Sequence, residues 1–354
     1  MNKKIVRAGR MIRNFVPVKS NVINEEFNIN EDTSSYFEWL NVFVRQGNDD
    51  ELPFKINPSI FTDNFNINSV SELKKTEVTD LYKYKSIEVI EEEFDLVTVI
   101  PFRGRYKHLE KTIESLIKSY KGCNFKFGIL VIENSQVSIA SSIIDNFDNV
   151  NYRWMDSSGK IFNKCVCHNV GSAILNTKYL HFHDCDLIVP DNFYEELYKS
   201  LVKNKAVQAF AGRRVHYIDE KNTKYFFSGR NISDIIKNEE TYKSGTYGAP
   251  GGSIAIEKEL FDSVGGFDSH LFWAYSIEDN FFWRKIEKYK KIESLDNPAI
   301  ELYHLWHPPG WGKNPYERFE KRFYDVFISD ENYEEYVNTA RKIFNEINEH
   351  IIKW

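Results

Sequence analysis

The pattern of apolar and polar positions changes at residue 94. From there FDLVTVIPF (94–102) runs apolar without alternation, as a strand buried on both faces of a parallel sheet does. HLEKTIESLIKSY (108–120) follows, with Leu109, Ile113, Leu116 and Ile117 sharing one face at helical spacing. The segment therefore predicts strand, loop, helix. The unit recurs: FKFGILVIE (125–133) predicts a strand, 136–146 a helix, and VNYRWMD (150–156) a short strand. CHNVGSAILNT (167–177) predicts a helix, and KYLHFHDCDLIVP (178–190) a strand broken by acids near its end. Such alternation implies an α/β fold with a mostly parallel central sheet flanked by helices. Ligands of such sheets bind beyond the carboxyl ends of the strands. Arg103 and Arg105 fall at one such end, Asp184 and Asp186 at another, so the four are expected on one rim.

Beyond residue 247 come a glycine-rich GAPGGSIAI (248–256), a helix-forming EKELFDSV (257–264) and a turn, GGFD (265–268). An acidic helix start, SIEDNFFWRKIEKY (276–289), and a histidine segment, ELYHLWHPPGWG (301–312), follow. Residues 1–90 are rich in Asn, Asp, Glu and Ser, with scattered aromatics such as Phe37, Trp39 and Phe43, and predict an extension of short helices and loops. The expected division is this extension (1–90), an α/β domain (91–312) and an amphipathic helical segment (313–354). Neither a repeat nor a low-complexity tract is visible.

A net charge of −6 over 354 residues disfavours a nucleic-acid partner, which calls for a basic balance. Four cysteines, Cys123, Cys165, Cys167 and Cys185, are too few and too clustered for a disulfide framework, so buried thiols in a reducing compartment are expected. No run approaches the ~20 apolar residues of a membrane span. The first residues set Lys3, Lys4, Arg7, Arg10 and Arg13 among Ile5, Val6, Met11, Ile12 and Phe15. They suit either an anionic membrane surface or a solvated terminus. The expected location is cytoplasmic, with peripheral attachment to the membrane's inner face as an option.

Several constellations can carry chemistry, and each has an ordinary alternative. Asp184 and Asp186, two residues apart at a strand end, offer hard oxygen ligands to Mg²⁺ or Mn²⁺, or simply open a solvated turn. His304 and His307 can face one point as neutral imidazole ligands, or pack beside Tyr303 and Trp306. Glu278 and Asp279 open a helix, where acids favour the macrodipole, and either could serve as general base to a hydroxyl. Arg103 and Arg105 present planar forks to phosphate oxygens, or are surface arginines. Gly251 and Gly252 permit close backbone approach to a ligand, or merely a bend.

Taken in order, the segments VIPFRGRYKHL, IFNKCVCHNVG, HDCDLIVP, PGGSIAI, VGGFDSHLFWAYSIEDN and HLWH followed by NPYERF resemble the β-1,4-galactosyltransferase family. They also resemble its relatives among chondroitin-type polymerases and polypeptide N-acetylgalactosaminyltransferases. The likeness spans roughly 97–320 and does not reach residues 1–90. It implies a GT-A fold and a metal-dependent, inverting transfer of a sugar from a UDP-sugar to a glycan acceptor; the expected setting, surface polysaccharide synthesis, rests on the lack of a membrane anchor or signal in the sequence. Carried over by position, Pro101, Phe102, Arg103, Arg105, Glu133, Lys164, Asp184, Gly251 and Gly252 would contact the donor nucleotide. Asp186, His304 and His307 would ligate Mn²⁺ or Mg²⁺. Asp279 would be the base with Glu278 beside it, and Trp273 and Tyr275 would belong to the acceptor lid.

Three departures stand out. His304 replaces a methionine ligand of the family, a harder donor. The mobile glycine-rich lid reads Trp273-Ala274-Tyr275-Ser276-Ile277 here and lacks three glycines. Ala249 stands where the galactosyltransferases carry a bulky tyrosine, which leaves room for an N-acetyl group and favours UDP-N-acetylgalactosamine over UDP-galactose. Two other classes remain open on sequence: a nucleotidyltransferase making a nucleotide sugar, and a sugar-binding module without catalysis.

Overall fold

The apolar run at 94 forms the centre of the fold. A computed structural model of the protein describes residues 87–135, 137–156, 162–208, 215–237, 242–244, 252–268, 278–287, 293–294 and 300–308. The extension before residue 87, the segment 313–354, Ala249, Gly251, Trp273 and Tyr275 lie outside them.

Strands β1 (Ile90–Phe102), β2 (Phe127–Ser135), β3 (Val150–Asp156) and β4 (Leu175–His183) pair in parallel, with β1 between β2 and β4. Strands β5 (Leu187–Ile188), β6 (Ala206–Gln208), β7 (Val215–Ile218), β8 (Tyr242–Ser244), β9 (Ser253–Glu257), β10 (Glu293–Ser294) and β11 (Leu302–His304) complete the set. The main sheet runs β10-β6-β9-β4-β1-β2-β3, and β9 alone enters antiparallel, between β4 and β6. A smaller sheet, β5-β11-β7-β8, forms beside it. The helices are α1 (Tyr106–Tyr120), α2 (Ser141–Ile144), α3 (Lys164–Ile174), α4 (Phe193–Asn204), α5 (Glu220–Phe227), α6 (Ile232–Ile236), α7 (Lys258–Ser263) and α8 (Glu278–Glu287).

The unbroken apolar character of β1 and β2 follows from burial on both faces. Leu96, Ile100 and Phe102 of β1 pack with Leu109, Ile113 and Leu116 of α1 and with Phe193, Leu197 and Leu201 of α4. Val97 and Val99 pack on the opposite face with Val166 and Val170 of α3, Phe261 of α7 and Phe282 and Ile286 of α8. Each such side chain taken fully out of water contributes about 1.5–3 kcal/mol, so the two layers are the main cohesive force.

Two expected helices are corrected. The helix expected over 167–177 runs instead over Lys164–Ile174, because the Asn163 side chain caps it by accepting from the Val166 N–H at 3.0 Å. Leu175–Thr177 belong to β4, drawn into register against Ile90, Glu93 and Phe94. The helix expected over 136–146 shrinks to Ser141–Ile144, because the buried Glu133 carboxylate takes the N–H groups of Ile139 (3.1 Å) and Ala140 (2.9 Å). The strand expected over 178–190 divides into β4 and β5 around the turn Asp184–Asp186. Cys165, Cys167 and Cys185 are buried and all four cysteines are free, as expected. Among the described residues no helix is long and apolar enough to cross a membrane.

Gly171 of α3 lies so close to β1 that an added Cβ would meet Val99 Cγ1 at 2.5 Å. Alanine gains about 1 kcal/mol of helix propensity, whereas overpacking costs about 1–3 kcal/mol. Val99 is fully buried and stiff, so the clash should win. Gly171→Ala is expected to lower stability in denaturant titration; a more stable variant would contradict this packing.

Candidate active site at the carboxyl rim of the sheet

Parallel pairing puts the ends of β1 and β4 side by side, and the chain leaving each carries the expected residues. After Phe102, Arg103 to Arg105 lead into α1 through Gly104, whose φ of 74° suits glycine. After His183, the turn Asp184-Cys185-Asp186 leads into β5. Its peptides are held throughout: Asp184 N–H donates to Gly252 O (2.7 Å), Thr112 Oγ1 donates to Cys185 O (2.9 Å), and Leu305 N–H donates to Asp186 O (2.9 Å). Gly252 itself has a φ of 92°, a conformation a side chain would strain.

Pairing of β5 with β11, His304 opposite Leu187, carries the histidine segment to the same place. Asp186 is only 3% exposed, and four cationic or imidazole groups address it. Arg105 Nη1 donates to its Oδ2, His307 Nε2 lies 3.3 Å from Oδ2, and His304 Nε2 lies 3.8 Å from Oδ1. Burial alone would raise the Asp186 pKa, but His304, Arg105, His307 and His108 together hold it below the ordinary value. One ligand atom from each of Asp186, His304 and His307 lies within 4.8 Å of the others. His307 donates Nδ1–H to Pro308 O (2.9 Å), so that a neutral His307 would offer its Nε2 lone pair to a cation beside Asp186. Burial lowers the pKa of His307, favouring that neutral form. One carboxylate and two imidazoles at this spacing form a group that could hold a divalent cation, and the nitrogen donors suit Mn²⁺ better than Mg²⁺.

A second cluster surrounds Lys164, the first residue of α3. Its ammonium lies 2.9 Å from Asp184 Oδ1, 3.5 Å from Asp279 Oδ1 and 3.8 Å from Glu278 Oε1. Burial disfavours the charged amine, and a cation also opposes the dipole at a helix start. The three carboxylates outweigh both, and its pKa rises well above the ordinary value. Glu278 and Asp279 open α8, where the dipole favours them. Burial raises the Asp279 pKa; Lys164 opposes the rise and Asp184 adds to it.

Other expected contacts take different places. Pro101 and Phe102 are buried at the end of β1, opposite Ile132 and Glu133 of β2, and the Phe102 ring belongs to the core. Glu133 is fully buried, and its carboxylate accepts from Tyr152 Oη (2.5 Å), Ser135 Oγ (2.9 Å), Ile139 N and Ala140 N. It shapes the loop after β2, a role that the sequence pattern does not indicate. Arg103 stands half-buried at the end of β1. The sequence reading missed His108, whose Nε2–H donates to Trp306 O (2.9 Å), and Thr223, whose Oγ1 accepts from Trp306 N (2.9 Å). The position of His108, one helical turn after Arg105, was the available signal for the first; Thr223 gave none.

Residues 97–353 match the model described as glycosyltransferase like family 2. The chain belongs to that family. The GT-A architecture implied by the motifs agrees with this membership and with the mainly parallel sheet. Among solved structures, this glycosyltransferase chain is similar to the catalytic domain of Drosophila β1,4-galactosyltransferase 7 in complex with xylobiose. The identity is 17% and the TM-score 0.38, covering 58% of this chain and 66% of that one. S. aureus TarS in complex with UDP is similar at 14% identity and a TM-score of 0.47, covering 71% of this chain and 70% of that one. A mutant of the Drosophila enzyme crystallised with manganese, UDP-Gal and xylobiose gives 17% identity and a TM-score of 0.39, with 58% and 66% covered. The chain thus spans 66% of the length of the Drosophila domain. No curated protein matches the sequence.

If Asp186, His304 and His307 hold a divalent cation, Mn²⁺ should stabilise the protein by about 2.7 kcal/mol at a hundred times its dissociation constant. Thermal denaturation with and without Mn²⁺ is expected to show the shift in the wild type and lose it in Asp186→Asn. An equal shift in both would place the ion elsewhere.

Proposed function

We propose that the chain is an inverting, metal-dependent hexosyltransferase that moves a sugar from a UDP-sugar to a hydroxyl of a glycan acceptor. The observation that supports this reading is the meeting, on one rim, of Asp186 from the turn after β4, His304 of β11 and His307 just beyond it with an acid pair at the start of α8. Asp186, His304 and His307 would hold Mn²⁺ or Mg²⁺, which when bound neutralises charge on a departing diphosphate. Arg103 and Arg105 would grip that diphosphate through guanidinium forks, and Asp184 would address the nucleoside side. Asp279 accepts the acceptor's hydroxyl proton as the hydroxyl oxygen bonds to the anomeric carbon from the face opposite the diphosphate. The anomeric C–O bond to the diphosphate breaks, its electron pair leaves with the diphosphate, and the configuration inverts.

The environment of Asp279 suits this role. A carboxyl raised by burial is a stronger base than a solvated one, while Lys164 keeps it ionised and aimed. Ala249 supports N-acetylgalactosamine over galactose as the transferred sugar. The likeness of the motifs to polysaccharide-building enzymes supports a role in surface glycan synthesis. The free cysteines accord with a reducing, cytoplasmic setting, with the basic N-terminus as a peripheral membrane contact. Family membership speaks against a nucleotidyltransferase, and the paired base and cation groups speak against a silent sugar-binding module.

A panel of UDP-sugars with Mn²⁺ tests the reading. Asp279→Asn is expected to lose about two to four orders of magnitude in kcat, and chelation should abolish turnover. Full transfer by Asp279→Asn would remove the base assignment. Pyrophosphate release from a nucleoside triphosphate would point to the nucleotidyltransferase, and binding without turnover to the module.

The pH dependence follows by sign. The base must be ionised, so kcat/KM rises as pH climbs through the Asp279 pKa, and a raised pKa sets that limb above the ordinary carboxylate range. Lys164→Gln removes the group that lowers it and is expected to move the limb to higher pH. A limb that stays in place would show that Asp279 and Lys164 are not coupled in the reaction.

A further inference from the structure

A chain of buried polar side chains crosses the layer between the main sheet and α4 and ends at the rim. Tyr194 Oη lies 2.5 Å from Thr98 Oγ1, which lies 3.0 Å from His181 Nδ1. His181 Nε2 lies 2.8 Å from Ser253 Oγ, which lies 3.1 Å from His183 Nδ1, and His183 Nε2 lies 3.1 Å from Leu187 O. All five side chains are fully buried, beside Phe193. The strand registers create the arrangement, because Thr98 lies opposite His181 and Ser253 opposite His183.

The last link fixes the direction of every other. A carbonyl oxygen only accepts, so His183 must donate from Nε2 to Leu187. A neutral His183 then accepts at Nδ1, and Ser253 spends its one hydroxyl proton there. Ser253 must in turn accept from His181 Nε2–H, which leaves His181 Nδ1 to accept from Thr98, and Thr98 to accept from Tyr194. Burial lowers the pKa of both imidazoles, that of His183 to about 4, which keeps them neutral. Every donor and acceptor in the chain is thereby satisfied, the condition under which a buried polar network rigidifies its surroundings.

The chain ends on the Leu187 carbonyl, one residue beyond Asp186, whose own carbonyl accepts from the Leu305 N–H of the histidine segment. Leu187 follows Asp186 and pairs with His304 across β5 and β11. Ser253 adjoins Gly252, whose carbonyl holds the Asp184 N–H at 2.7 Å. We propose that His181, Ser253 and His183 are positioning residues: they hold the Leu187 peptide and so set the distance between Asp186 and the histidine pair. This rests on the reading of Asp186, His304 and His307 as the cation ligands. An apolar filling of the same layer would stabilise the fold without fixing that distance.

The test uses the full chain and Mn²⁺ as probe. Nitrogen-15 imidazole spectra are expected to show His181 and His183 both neutral and protonated at Nε2; an Nδ1–H form of either overturns the proposal. In Mn²⁺ titration, Ser253→Ala is expected to weaken affinity by about ten- to a hundredfold, the usual effect of losing a residue that orients ligands. Ser253→Thr, which restores the hydroxyl, is expected to recover much of that loss. A Ser253→Ala protein that melts earlier yet binds Mn²⁺ as the wild type does overturns the proposal, leaving only a structural role. If Ser253→Ala does not fold, Thr98→Val removes the donor to His181; weaker Mn²⁺ binding then supports the proposal and unchanged binding overturns it. Asp186→Asn run in parallel separates the two readings. If it binds Mn²⁺ as tightly as the wild type, the cation site itself is wrong and the positioning role falls with it, whereas the spectra still report the chain's direction.

Discussion

Asp186 is a carboxylate almost sealed from water, and a charge so placed persists only among cationic or hydrogen-bonding partners. Much of the fold at the rim answers that requirement. Arg105 reaches it from the start of α1, His304 and His307 from β11 and the segment after it, and the Leu305 N–H holds its main chain. These groups come from parts of the sequence as much as 202 residues apart, a spacing that only the finished sheet can close. The arrangement also explains why β5 is so short. Two residues suffice to register the histidine segment against the acidic turn.

Lys164 repeats the principle with the opposite sign. One largely buried ammonium gathers Asp184, Glu278 and Asp279, three carboxylates that would otherwise repel one another. It thereby ties α3 and α8 to the acidic turn that Asp186 closes. Removing either Asp186 or Lys164 leaves buried charge uncompensated, which is why the two halves of the rim read as one unit. The chain of hydrogen bonds ending at Leu187 lies beneath that unit and approaches it from the core.

The parallel sheet was legible because its strands are buried on both faces and so read as unbroken apolar runs, as in 94–102 and 125–133. The antiparallel entry of β9 was not, since a five-residue apolar strand carries no mark of its direction. The start of α3 was misread by three residues, because the capping of Val166 by Asn163 is a local side-chain bond that periodicity does not register. At the site, the acids and histidines were legible from residue type and order. Glu133 was not, because two of its four donors, the N–H groups of Ile139 and Ala140, come from a loop whose path it creates itself, and a third, Tyr152 Oη, comes from the neighbouring strand β3. His181 and His183 carried no signal of their own within the strand over 178–190, because the polar partners that give them meaning sit on other strands.

Binding of a divalent cation by Asp186, His304 and His307, at the carboxyl rim of the sheet, is the proposal on which the rest turns. Anomalous diffraction at the manganese edge, from crystals grown with Mn²⁺ and UDP, tests it most directly. The account predicts a peak bridging the Asp186 carboxylate and the Nε2 atoms of His304 and His307, with the diphosphate on its open side. A peak elsewhere, or a diphosphate bound with no peak among these three side chains, would contradict it.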